Sequence, residues 1–423
     1  MAETPENQTS PAAPKGALIT VILVVVIDLL GFGIVLPLLP RYADRLLEPA
    51  GVERQLHGLV TGCLLAVFSL MQFIFAPIWG RISDRVGRRP ILILGLAGSV
   101  VFYALFGYAS SLGSDQARLA LGLMFAARIG AGIAGATIAT AQAVIADCTP
   151  KEKRAHGMAL IGAAFGIGFT VGPILAGVAL IFFPDQPELA GYSAAGLSFI
   201  AWMIAMFKMP ETARPGSLAP RRGWLDLRGL TSTLKTPTVG ILVLTFFLAT
   251  FGFAGFEATL SLLTRDMGYG DQDNFWIFAY VGSILMITQA AIYRRVVKKY
   301  HEVQLMRLGV GFMFLGLVGL AAVAMGGDTS LRPVVLFVSL ALGVVGFAFL
   351  TPSAQALISN RSDPARQGEV LGVNQSCAAM ARILGPVTGL VLFKAESTHM
   401  LPYAASAVLL AIVMALLTKV GRD

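Results

Sequence analysis

Residues 58–79 read GLVTGCLLAVFSLMQFIFAPIW, residues 80–89 GRISDRVGRR, and residues 90–110 PILILGLAGSVVFYALFGYAS. Each outer stretch lacks a charged residue and is as long as the roughly 20 residues a helix needs to cross a bilayer. Between them lies a short turn with Arg81, Asp84, Arg85, Arg88 and Arg89, in which Gly87 permits a tight reversal. Two crossings joined by a basic turn is a membrane hairpin.

The whole chain repeats that pattern. Apolar runs fall at 17–39, 58–79, 90–110, 118–146, 156–182, 191–208, 238–263, 274–295, 304–325, 332–358, 368–393 and 400–418, giving an all-α integral membrane protein with twelve transmembrane helices. The composition agrees. Of 423 residues, 56% are hydrophobic and 13% charged, against about 25% charged in an average soluble domain. Those figures exclude a soluble globule, a disordered chain and a disulfide scaffold. Residues 1–16 read as a disordered cytoplasmic tail, 17–208 as an amino-terminal six-helix bundle, 209–236 as a polar cytoplasmic linker, and 237–419 as a carboxy-terminal six-helix bundle. The halves echo each other. Ala141–Ile145 (AQAVI) matches Ala354–Ile358 (AQALI), and Gly172-Pro173 falls in register with Gly385-Pro386. Two parallel six-helix pseudo-repeats are a transporter architecture with a substrate site near the membrane midplane.

With the amino terminus inside, most of the 32 Lys and Arg fall in cytoplasmic segments, which places both termini in the cytoplasm. The net charge of +8 then follows from topology. No basic run interleaved with aromatics suggests a nucleic-acid partner. The scattered cysteines and histidines have no metal-ligand spacing, and no nucleophile–base pair or phosphate-binding glycine loop suggests an enzyme.

Four charged residues stand well inside the spans, away from their end turns: Asp28, Arg128, Glu257 and Arg382. Charges at such depth face a partner or a wet cavity and default to functional sites. An apolar medium favours the neutral form of an unpartnered carboxyl, so Asp28 is either a proton-exchanging group or one arm of an ion pair with Arg128. Glu257 with Arg382 is the matching pair in the second half. A solvated interfacial carboxylate is the rival reading for Glu257, and a structural ion pair the rival for Arg128. Phe251 offers an apolar wall near Glu257, and Asn374 and Gln375 interrupt the apolar run that carries Arg382. In span five, Gly168, Gly172 and Gly177 around Pro173 recur at intervals that let helices approach closely; helix packing alone would explain them.

The 80–90 loop, the DLLGFGIVLPLLP of 28–40, the GFTVGP of 168–173 and the GFEATLSLLT of 255–264 together resemble the drug:proton antiporter branch of the major facilitator superfamily, which includes tetracycline exporters and animal tetracycline-transporter-like proteins. Ala131 and Ala176 depart from the motifs of spans four and five. The resemblance implies a secondary active transporter that exports amphipathic small molecules or drugs against protons by alternating access. It needs no cofactor beyond a proton gradient, and is a monomer in a bacterial inner membrane. Proton coupling would rest on Asp28, Arg128 and Glu257. The substrate cavity would be lined by Asp28, Gln142, Phe251, Glu257, Gln355, Asn374, Gln375 and Arg382. A cytoplasmic gate would comprise Gly80, Asp84, Arg85, Gly87, Arg88, Arg89 and Asp147, latched to span eleven near Gly368. Gly168, Gly172, Pro173 and Gly177 would form the antiporter helix motif. The corresponding second-half loop has Arg294, Arg295, Lys298 and Lys299 but no aspartate, so a latch on one side of the pseudo-repeat is expected. The alternatives are a proton-coupled or facilitative transporter of organic anions or other metabolites, and a non-transporting receptor, which the short loops disfavour.

Overall fold

The computed structural model describes residues 16–35, 38–183, 186–212, 236–326 and 330–418. The expected amino-terminal tail, most of the 209–236 linker and the last five residues lie outside the described residues.

The first half comprises α1 Ala17–Val35, α2 Leu39–Leu47, α3 Arg54–Val86, α4 Arg88–Ser111, α5 Ala117–Gly135, α6 Ile138–Cys148, α7 Arg154–Phe182 and α8 Glu188–Lys208. The second comprises α9 Pro237–Asp266, α10 Asp271–Ile287, a π-helical turn Thr288–Tyr293 running into α11 Arg294–Val296, α12 Glu302–Ala324, α13 Arg332–Asn360, α14 Gln367–Ala395 and α15 Leu401–Leu417. No strand occurs among the described residues. Eleven of these helical stretches are long and apolar enough to cross a membrane, and α15 is a shorter apolar helix in the twelfth place. Several details differ from the sequence reading: helix α3 continues through the expected turn as far as Val86, and a π-helical turn interrupts span eight. Span four breaks into α5 and α6 after Gly135, and α2 forms a short helix where a loop was expected.

Side chains such as Ile19, Leu59, Val101, Ile200 and Val391 are exposed on the outer helix faces. That pattern suits helices whose outer solvent is hydrocarbon. Between helices, small residues do the packing. A Cβ on Gly172 would stand 2.6 Å from the Gly33 Cα, and one on Gly168 2.6 Å from the Leu29 carbonyl. Two motif glycines of span five are therefore the surface on which α1 rests. Pro173 and Gly177 lie within α7.

The halves meet along α3 with α14, α6 with α14, and α7 with α10 and α13. The end that carries the 80–90 turn is called the gate end below. A Cβ on Gly372 would meet the Ala76 carbonyl at 2.5 Å, and one on Gly80 would collide with the Gly368 carbonyl. Further along, Ser376 Oγ donates to the Phe73 carbonyl at 2.6 Å, and Gly166 packs on Met286. These contacts run from the gate end to about mid-helix. At that level the Glu257 and Arg382 side chains are exposed. The halves are thus held together at the gate end, with Glu257 and Arg382 accessible in the cleft beyond it.

Candidate functional site: a latched gate beneath a charged cleft

Asp84 sits in the last turn of α3 and is 6% exposed. Its Oδ1 accepts from the Gly368 N–H at 2.9 Å and its Oδ2 from the Glu369 N–H at 2.8 Å. These are orphan donors of the first turn of α14, whose dipole favours a negative charge there. Arg88 holds the same carboxylate at 2.5 Å through Nη1, donates to Ser83 Oγ at 2.8 Å, and reaches Asp147 Oδ2 at 3.1 Å through Nε. One buried arginine thus ties the ends of α3 and α6 to the carboxylate that caps α14. Gly87, at φ 112°, makes the reversal that places Arg88 there. Glu211 caps α4 by accepting from the Arg88 and Arg89 N–H groups at 2.8 and 3.2 Å, and Arg89 Nη2 donates to the Met206 carbonyl at 2.6 Å. Arg85 lies on the exposed side of the same turn.

The structure thus brings Asp84, Arg88 and Asp147 together at the opening of α14. Sequence reading noted Arg81 in the turn but gave neither it nor Arg366 a place in the gate; they hold Glu369 at 3.3 and 2.8 Å. The signal available was Glu369 itself, a carboxylate just inside a helix flanked by arginines. The expectation of a latch on one side only needs correction. At the pseudo-equivalent place, Arg294 Nε donates to His156 Nε2 at 2.8 Å, and Arg154 Nη1 donates to the Ser359 carbonyl and Asn360 Oδ1 at 3.2 and 3.1 Å. A histidine and an amide replace the missing aspartate.

Inside the first half, Asp28 and Arg128 do not form the expected pair. Asp28 Oδ1 accepts from Ser198 Oγ of α8 at 3.1 Å, with Ser99 of α4 as a second hydroxyl partner. Arg128 is 2% exposed. Its Nε points at the Leu64 carbonyl at 3.5 Å, its guanidinium carbon stands 4.4 Å over the Phe68 ring, and Nη1 has no partner. Each charge has its own partners, and buried Tyr103 interacts electrostatically with both. The serines carry no sequence signal in an apolar run.

In the cleft, Arg382 Nη2 donates to Gln72 Oε1 across the halves at 3.1 Å. Glu257 interacts electrostatically with Arg382, but the pair forms no ion contact within 4.0 Å. Phe251 is half-buried, its ring 6.2 Å from that of Phe247. The remaining cavity candidates are shut away in this conformation. Gln142 and Asn374 are 0% exposed with unpartnered amide atoms, and Gln355 and Gln375 are 4% and 7% exposed. They occupy the gate-side parts of α6, α13 and α14, where the halves press together. Gln72 was missed, although it is the one amide in the 58–79 run.

A sequence profile described as Major Facilitator Superfamily matches residues 21–386. The chain belongs to the major facilitator superfamily. Within it, the chain is 30% identical over 384 residues to a class E tetracycline resistance protein of Escherichia coli, covering 88% of this chain and 87% of that protein. It is 28% identical over 420 residues to the Bos taurus major facilitator superfamily domain-containing protein 10, covering 89% and 87%. The crystal structure of the human organic anion transporter MFSD10 shares the fold at a TM-score of 0.78 and 24% identity, covering 96% of this chain and all of that one. These major facilitator relatives are transporters, not enzymes.

Proposed function

We propose that this transporter exports amphipathic small molecules in exchange for protons, by alternating access to the central cleft. One observation carries the reading. Glu257 is a carboxyl exposed at mid-cleft, above a closed gate, and its charged neighbour Arg382 makes no ion contact with it. A proton and an amphipathic cation compete for such a group, and competition for one site on alternating sides of a membrane is exchange. Likeness to tetracycline resistance proteins supports the substrate class. Asp28, held by two hydroxyl groups, serves as a second proton site.

In this reading the gate end faces the cytoplasm of a bacterial inner membrane, with both termini inside. The Asp84 latch holds the inner side shut while the cleft is open outward. The protein works as a monomer, driven by the proton gradient without a cofactor. The test is the purified protein in liposomes with an imposed pH gradient and a panel of cationic, neutral and anionic amphipaths. Gradient-driven movement of cations with counterflow of protons supports exchange. Binding without gradient-driven movement sinks it.

The second reading is transport of organic anions. Arg382 favours it, because its guanidinium side chain is exposed in the cleft and donates to a neutral amide.

A further inference from the structure

Arg382 reaches across the cleft floor to Gln72 at 3.1 Å, and the Gln72 amide lies 3.5 Å from the Gly135 carbonyl. The acceptor is neutral, and the guanidinium side chain stays exposed, so its other N–H groups face the cleft. A guanidinium prefers a planar anion, to which it makes two parallel charge-assisted bonds, each roughly twice as strong as a bond to a neutral acceptor. A carboxylate or sulfonate entering the cleft therefore displaces Gln72.

Glu257 sets a condition on that exchange. Two anions around one cation repel each other, which drives a proton onto one of them. The other charges on α9 and on the helices packed against it stand at helix ends: Arg265 and Asp266 close α9, and Glu369 and Lys394 lie near the two ends of α14. α14 contributes Arg382 itself, α15 contains Tyr403 but no charged residue, and the only charge of α13, Arg332, lies at its first residue, away from the gate end. The incoming anion is accommodated with a proton on Glu257.

We infer that Gln72, Arg382 and Glu257 form an anion subsite in which an amphipathic organic anion replaces Gln72 on Arg382 and brings one proton onto Glu257. This rests on the transport reading above and reverses its coupling for one substrate class. A cation competes with the proton at Glu257 and is exchanged against it. An anion loads together with the proton, and both travel the same way. Its arrival also removes one tie between the halves.

The experiment is ligand binding to the full chain in lipid nanodiscs, in weakly buffered solution with a pH indicator. The probes are dansyl-undecanoate as the anion and tetraphenylphosphonium as the cation. Anion binding is expected to take up close to one proton, with affinity rising by up to about tenfold per unit fall in pH across the range where Glu257 titrates. Arg382→Gln should weaken anion binding at least about tenfold, with an unchanged thermal unfolding midpoint and a monodisperse elution profile reporting a folded protein. Arg382→Lys, which keeps the charge but not the fork, should fall between. Glu257→Gln should retain anion binding without proton uptake, and Gln72→Leu should tighten it by removing the competitor. Anion binding that takes up no proton in the unaltered protein, or is indifferent to Arg382→Gln, overturns the subsite. Tetraphenylphosphonium binding without proton release overturns the exchange reading instead, and leaves the anion result standing.

Discussion

Asp84 accepts the backbone N–H of Gly368 at 2.9 Å, from the last turn of one helix in the first half to the first turn of another in the second. The contact works because the two backbones touch at Gly80 and Gly368, where a side chain on either would collide with the other's carbonyl. Close approach brings the α14 amino terminus within reach of a carboxylate that Arg88 has already oriented. Packing by small residues and a charge at a helix end thus act as one device.

Asp84→Asn keeps one acceptor oxygen and loses the charge. A buried charge left without its partner costs about 3–5 kcal/mol, so the closed gate should lose most of its advantage. Spin labels at Val86 and Tyr300, exposed at 63% and 50% on the gate ends of the two halves, should report a longer mean distance. An unchanged distance distribution would show that the latch does not hold the gate.

Asp28→Asn preserves an acceptor for Ser198 and should leave folding and membrane insertion intact. Proton-driven transport in liposomes should fall at least about tenfold, as expected for removal of a proton-transfer group. Full transport in the variant would remove Asp28 from the coupling scheme.

Arg128 is buried with Nη1 unpartnered, a cost to the folded state. Arg128→Met should therefore raise the thermal unfolding midpoint in detergent, since apolar replacement of buried charge is often stabilising by about 1–4 kcal/mol. Transport should fall in the same variant. A lowered midpoint would mark the arginine as structural support.

Gly172→Ala would place a methyl group 2.6 Å from the Gly33 Cα. Overpacking of this kind costs about 1–3 kcal/mol, read as a lower unfolding midpoint. Gly62→Ala, where the added atom meets nothing within 4 Å, is the control and should not shift it.

The twelve spans were legible because each is a long apolar run, and a bilayer leaves such a run few other structures. Asp84 and Arg88 were legible as a motif, since charged residues at short spacing on one turn have few ways to meet, whereas Asp147, at the end of another span, was expected only through the family resemblance. The pairing of Asp28 with Arg128 was not. Both sit at about the right depth, but helix rotation decides what each side chain faces, and rotation is set by packing against neighbours. Rotation turned Asp28 toward serines on α4 and α8 and Arg128 toward Phe68 on α3. The same holds for Gln142 and Asn374, polar in sequence yet enclosed where the halves close.

By itself the sequence determined that this chain lives in a membrane, how many times it crosses, and that charge within the spans is scarce. Those properties depend on local composition and length, which the bilayer reads residue by residue. Only the tertiary structure decided which charges meet: Arg382 with Gln72 rather than Glu257, and Arg294 with His156 in place of a second aspartate latch. Such partnerships join residues far apart in the chain, and they depend on helix rotation and on which conformation of the cleft is occupied.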